Sequence, residues 1–205
     1  RTVYGNVREE LPKDSPEPLG KPVVLTSYVD ANLHHDMVTG RSVTAVMHFV
    51  NQTPLEWFSK KQPTVETATY GSEFVAAKTA VQQVMGIRTY LRYLGVAIEG
   101  PTHLFGDNGS VVTSGSLPHS PLRKRHHTLS YHYTREARAS GAVDFQFLPG
   151  HLNPADILSK HWGYQQVWSS ALRPILFWQG DTSDLLSGHE QPTGRKDKPS
   201  GNNVV

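Results

Sequence analysis

The sequence predicts an α/β domain built on a five-stranded mixed sheet with helices on its faces. Three observations predict it. Residues 23–30 (Val-Val-Leu-Thr-Ser-Tyr-Val-Asp) are β-branched and largely apolar, which suits a strand covered on both sides. Two more such runs, 43–50 and 55–59, follow at short range, and short connections favour antiparallel neighbours. A long helical pattern over 66–94 then precedes a fourth strand, and a crossover of that length lays the fourth strand parallel to the first, in the right-handed sense.

The chain of 205 residues is long enough for one domain with a sizeable core plus flanks. Apolar residues make up 37%, and the polar ends account for part of that modest figure. A net charge of +2 and an isoelectric point near 8.8 permit a polyanionic partner without requiring one. The absence of cysteine excludes disulfides and thiolate metal sites. No run reaches 18 apolar residues, so no membrane partner is expected.

Taken in order, residues 1–20 carry prolines, glycines and alternating charges and read as a linker from a preceding region. The domain itself is expected over 21–178. Strand one covers 23–30, residues 31–42 are a polar connection with a Thr-Gly turn, strand two covers 43–50, and Asn51-Gln52-Thr53-Pro54 turns into strand three. In the helix at 66–94, Tyr70, Phe74, Ala77, Val81, Val84, Ile87, Leu91 and Leu94 step by three or four, Thr67 or Thr69 is the expected cap, and Gly95 ends it. Strand four is 102–106, a brief helix spans 110–115, and a helix at about 127–140 places Leu129, Tyr133 and Ala137 on one face. Strand five is 142–148. Asn153-Pro154 opens a further helix, Asn suiting the cap and Pro the first turn. A tryptophan-rich amphipathic helix is expected at 164–178 and a disordered tail at 179–205. Trp57 and Phe58 are expected to pack in the core and along the sheet edge.

Four acidic residues fall where these elements can bring them to one rim. Asp30 and Asp107 end the first and fourth strands, Glu73 lies at the edge of the buried stripe of the long helix, and Asp156 lies in the first turn of a later helix. Singly, Asp107 reads as a turn residue, Asp156 as a charge favoured by the helix dipole, and Glu73 as a solvated helix residue. Together they read as a four-carboxylate site for two divalent cations, because magnesium takes hard oxygen ligands and unneutralised carboxylates in one cluster repel. The run Arg123-Lys124-Arg125-His126-His127 is the densest basic stretch and, with Lys60 and Lys61, is a candidate contact for nucleic-acid phosphates. The pairs His34-His35 and His126-His127 do not make a zinc site, since adjacent histidines cannot readily share one tetrahedral ion.

These residues stand in a recognisable order. Tyr28-Val29-Asp30-Ala31, Trp57-Phe58-Ser59-Lys60-Lys61-Gln62, Thr69 to Ala77, Gly106-Asp107-Asn108, Lys124-Arg125-His126, Tyr131 to Glu136, and Asn153-Pro154-Ala155-Asp156-Ile157-Leu158-Ser159-Lys160 together make the chain resemble the ribonuclease H domain of Ty1/copia-type retrotransposon polyproteins, over about residues 22–161. Thr128 and the Asn32-Leu33 pair differ from the usual pattern and bear on substrate contacts. The resemblance implies a ribonuclease H-like fold and metal-dependent hydrolysis of the RNA strand of RNA–DNA hybrids during reverse transcription. It implies Asp30, Glu73, Asp107 and Asp156 as ligands of two Mg2+ ions, with Mn2+ as a substitute, His151 as a mobile catalytic histidine, and Asn108 among the nucleic-acid contacts. It also implies a reverse transcriptase domain of the same polyprotein as partner, and a cytoplasmic particle as location. No Tyr-x-Asp-Asp polymerase motif occurs in the chain. Two alternatives share the fold: a catalytically silent hybrid-binding or connection-type module, and a DNA strand-transfer enzyme.

Overall fold

The structure is a computed structural model that describes Tyr4 and residues 7–117 and 128–160. Its elements in chain order are β1 (Leu19–Val23), β2 (Leu25–Asp36), β3 (Arg41–Val50), β4 (Thr53–Lys61), α1 (Thr69–Tyr93), β5 (Val96–Ile98), β6 (Thr102–Gly106), α2 (Gly109–Ser116), α3 (Thr128–Ala139), β7 (Val143–Phe147), a 3-10 turn at Gly150–Leu152, and α4 (Asp156–Ser159). The main sheet has the order β4-β3-β2-β6-β7. β2, β3 and β4 form the expected antiparallel meander, while β6 and β7 run parallel to β2. The mixed five-stranded sheet of the sequence is therefore the sheet of the structure.

α1 covers one face of that sheet. Phe74, Ala77, Val81 and Val84 from its apolar stripe meet Val29, Val46, Leu104, Val143 and Phe145 from the strands in one core. β3 lies between two strands and is buried on both sides over almost its whole length, which is why it reads as a continuous apolar run. Gly106 packs tightly: a Cβ there would lie 3.2 Å from Phe145 Cε2, so the ring would have to give by a few tenths of an ångström. Gly95, at φ +71°, ends α1 as expected.

Several elements differ from the sequence reading. β2 continues through residues 31–36, because the polar stretch Asn32–Asp36 still pairs with β3, and only residues 37–40 turn. α1 begins after Ala68, whose position carries no side-chain cap, so neither Thr67 nor Thr69 caps it. The buried stripe of α3 is Tyr131, Thr134, Arg135 and Ala137, while Leu129 is exposed, because Tyr131 turns inward to stack on Phe74 of α1. Phe58 packs against the core, but Trp57 is 67% exposed, since it alternates onto the opposite face of an edge strand.

The segment expected as a linker is tied to the domain over much of its length. β1 pairs in parallel with β5, Leu19 N–H donates to Gly95 O at 2.8 Å, and Glu9 N–H to Ser140 O at 3.2 Å. Tyr4 Oη lies 2.7 Å from His132 Nδ1. Glu9 forms a double fork with Arg88 (2.7 and 2.8 Å) and Arg92 (2.5 and 2.7 Å). This clamp holds its carboxyl down to about 2: burial acts to raise it, and the two guanidinium groups outweigh burial. The helix expected at 164–178 and the tail at 179–205 lie outside the described residues.

One buried polar chain lies under α1. His48 is 2% exposed, with Nδ1 2.7 Å from Ser27 Oγ and Nε2 3.2 Å from Gln83 Oε1. Burial pushes its pKa down, so the folded state holds it neutral. The unfolded imidazole protonates near its ordinary value, so acid draws the chain towards unfolding. Urea midpoints at pH 7.5 and 5.5 should show the native protein losing about 1 kcal/mol more than His48→Gln as pH falls. Equal losses would show that His48 does not contribute to acid sensitivity.

Candidate metal centre

The register of the sheet assembles the acidic residues. Val29 of β2 pairs with Gly106 of β6 in parallel, so Asp107, just past the end of β6, comes level with Asp30, which lies inside β2 and does not end it as the sequence reading expected, because β2 goes on pairing with β3. Asp156 comes from the first turn of α4, which packs against β2 and β3. One carboxylate oxygen from each of Asp30, Asp107 and Asp156 lies within 4.8 Å of the others. An all-oxygen, anionic donor set of this kind suits a hard divalent cation.

Small polar side chains set α4 against the sheet. Asn153 Nδ2 donates to Val29 O at 2.9 Å, and its Oδ1 accepts from Ala155 N–H at 3.1 Å, so a single amide both anchors and starts the last turn. Ser159 Oγ donates to Asp30 Oδ2, and Asn32 Nδ2 donates to Ser159 O at 3.0 Å. Gly150 belongs to the same packing, because a Cβ at that position would lie 3.0 Å from Asp107 Oδ2.

The electrostatics are those of a crowded anionic site. Burial pushes the Asp30 carboxyl up to about 6, and the Asp156 and Asp107 charges add to the rise, against the Ser159 hydrogen bond and the Lys160 charge. Glu73, 5% exposed on α1, is pushed well above the ordinary range by burial and then by Asp30 and Asp107, although the Ala31 N–H donates to it. Asp107 is raised by burial and by Asp156. Lys160 sends its ammonium into this group, 2.7 Å from Asp156 Oδ2 and 4.0 Å from Asp30 Oδ2.

The other residues singled out in the sequence are placed unevenly. Glu73 is close enough to feel Asp30 and Asp107 but lies outside the tight aspartate triad. His151 is exposed on the 3-10 turn beside the Asp107–Gly150 contact. Asn108 caps α2, its Oδ1 accepting from Ser110 N–H and Val111 N–H at 3.1 and 3.2 Å. Lys60 and Lys61 end β4 and, with Arg41, Gln62 and Thr79, line a groove of about 320 Å³ between β4 and α1. Lys61 is paired with Asp36 at 2.9 Å. Arg123, Lys124, Arg125 and His126 lie outside the described residues. Sequence reading missed Ser159, Lys160 and Asn153 as parts of the site, although all three stand in the Asn153–Lys160 stretch that carries the resemblance.

No family model matches the chain. It is 26% identical over 141 residues to the retrovirus-related Pol polyprotein from transposon RE2 of Arabidopsis thaliana, which covers 69% of this chain and 10% of that protein. It is 25% identical over 143 residues to the corresponding polyprotein from transposon TNT 1-94 of Nicotiana tabacum, again over 69% and 10%. The chain thus spans about a tenth of the length of the curated relatives it matches. In fold it is similar to LC11-RNase H1 solved in complex with an RNA/DNA hybrid (TM-score 0.52, 14% identity, covering 65% of this chain and 92% of that one). It is likewise similar to the N-terminal RNase H domain of rv2228c from Mycobacterium tuberculosis (TM-score 0.51, 13% identity, 67% and 91%). The chain thus has a ribonuclease H-like fold and is similar in sequence to one stretch of the Pol polyproteins of plant retrotransposons.

Proposed function

We propose that the chain is a metal-dependent endonuclease that hydrolyses the RNA strand of RNA–DNA hybrids in retrotransposon reverse transcription. The observation that carries this is the convergence of Asp30, Asp107 and Asp156 within 4.8 Å from β2, the end of β6 and the start of α4. These three, with Glu73 behind them, are the residues to hold two Mg2+ or Mn2+ ions. Bound there, such a pair would supply a polarised water and a counter-charge for the departing 3′-oxygen of a phosphodiester. The protein's own part is to present the oxygens in a fixed frame. Ser159 orients Asp30, and Asn153 fixes α4 so that Asp156 faces the strand ends. His151, exposed and on a short turn next to Asp107, is placed to carry a proton at the leaving group.

Substrate choice falls to groups beside the centre. Arg41 and Lys60 in the groove between β4 and α1 offer charge to a phosphate backbone, as do Lys61 and the basic run Arg123–His126, while Asn108 offers a neutral amide donor. Recognition of 2′-hydroxyls selects RNA over DNA. The solved relative with an RNA/DNA hybrid supports that class of substrate. The polyprotein relatives support a reverse transcriptase domain as partner; a cytoplasmic particle as setting belongs to the same proposal. No described helix is long and apolar enough to cross a membrane.

End-labelled RNA–DNA hybrid and duplex DNA, incubated separately with the full chain, test this. With Mg2+ or Mn2+ the RNA strand of the hybrid should be cut and duplex DNA left intact, and EDTA should stop cutting. Preference for duplex DNA would point to strand transfer instead. Hybrid that is bound but never cut with either ion would point to a silent binding module.

A further inference from the structure

We propose that Lys160 is the built-in counter-cation of the carboxylate cluster: its ammonium holds Asp156 and Asp30 together until a divalent cation arrives, and must give up that place when one binds. The inference rests on the metal-dependent site proposed above.

The geometry is specific. Lys160 Nζ lies 2.7 Å from Asp156 Oδ2 and 4.0 Å from Asp30 Oδ2, so one ammonium faces two of the three converging aspartates. Asp156 and Lys160 are four apart across the single turn of α4, the spacing at which a side chain reaches back over the preceding turn. Lys160 itself is already extended, at φ −116° and ψ 156°, while its N–H still bonds Asp156 O at 3.1 Å. The backbone is thus anchored, and the side chain alone is left to move. The Lys160 charge acts on Asp30, Glu73 and Asp107 as well as on Asp156, which makes it a cation of the whole cluster rather than of one partner.

The two sides of the contact differ in freedom. The Asp30 side chain is 2% exposed and that of Asp156 is 12% exposed, whereas Lys160 is 38% exposed. A lysine stem is long and flexible, and its ammonium is well solvated, so the lysine can withdraw into water at little cost. The carboxylates cannot. Divalent ions in that site would be held by the same Asp30 and Asp156 carboxylates, and positive charges a few ångströms apart oppose one another, more so where water is excluded. Lys160 therefore lowers the affinity of the site for metal while keeping the metal-free fold from flying apart.

Mn2+ titration calorimetry on the full chain tests this, together with thermal melts in EDTA. Lys160→Met keeps the stem and removes the charge. It should bind Mn2+ about tenfold more tightly than the native protein, and should melt at lower temperature in EDTA. Lys160→Arg, which keeps a cation, should stay near native in both. Equal or weaker Mn2+ binding by Lys160→Met overturns the role given to Lys160. Absence of Mn2+ binding by the native protein overturns the metal site itself, a distinct result. If Lys160→Met does not fold in EDTA, the side-chain ammonium resonance of the native protein replaces it. That signal should shift as Mg2+ is added, and a resonance unmoved at saturating Mg2+ overturns the proposal.

Discussion

Asp30→Asn should lower the rate of metal-dependent hybrid cleavage by about a thousandfold, the scale expected when several kcal/mol of transition-state charge stabilisation is lost. Hybrid binding should persist, because the proposed phosphate contacts are made by other residues. Asparagine matches aspartate in shape, and its carbonyl can still accept from Ser159 Oγ. The metal-free fold should not suffer. Asp30 has its carboxyl raised to about 6, so its ionised form is a burden on the folded state above that pH. The sign follows: stability contributed by this group is full below its ordinary range and is lost as pH rises through about 6. At pH 8 in EDTA the variant should therefore melt no lower than the native protein, and with Mg2+ it should gain less. Native-like cleavage by this variant would remove Asp30 from the centre, and a melt lowered in EDTA would mark a folding defect instead.

Glu9→Gln should cost about 3 kcal/mol, the scale for breaking a buried ion pair by removing one partner. Arg88 is 3% exposed, and besides Glu9 it donates to Gly100 O and Thr102 Oγ1 at 3.1 Å. The guanidinium thus stays buried when its counter-charge is gone. For a chain of this size the loss corresponds to a fall of roughly 6–12 °C in melting temperature. Arg92→Gln should cost under about 1 kcal/mol, since Arg92 sits nearer solvent. The Glu9 contribution is present above the ordinary glutamate range and is lost as pH drops towards about 2, so the gap between native and variant should close in strong acid. A melting temperature within a degree of native for Glu9→Gln would show that the segment before β1 adds nothing to the domain.

Much of this arrangement is legible in the chain. β3 declares itself because it is covered on both faces over almost its whole length, and the first half of β2 by its β-branched and apolar residues, whereas its polar second half reads as a connection. The long helix declares itself by its stripe, Phe74 to Ile87, and by Gly95 at its end. Asp107 and Asp156 are legible because one follows β6 and the other opens α4, whereas Asp30 lies inside β2 and Glu73 inside α1. What was hidden depends on partners distant in sequence. β5 is three residues long and exists only because β1 lies beside it. The linker-like composition of residues 7–18 does not announce that Glu9 will meet two arginines some 80 positions away. Leu129 suits a buried stripe by spacing, yet the packing of Tyr131 on Phe74 rotates α3 the other way. Lys160 looks like an ordinary helix-end cation until Asp30 is brought to it from the far end of the chain.

The pairing of Val29 with Gly106 has a consequence for how such a centre tolerates divergence. The gap between Asp30 and Asp107 is gauged by the backbone ladder, about 4.8 Å from strand to strand, and not by the size of any core side chain. Helices can be repacked and surfaces rewritten while that ruler stays the same. A chain only 14% identical to a solved neighbour can thus keep the same spacing between strands.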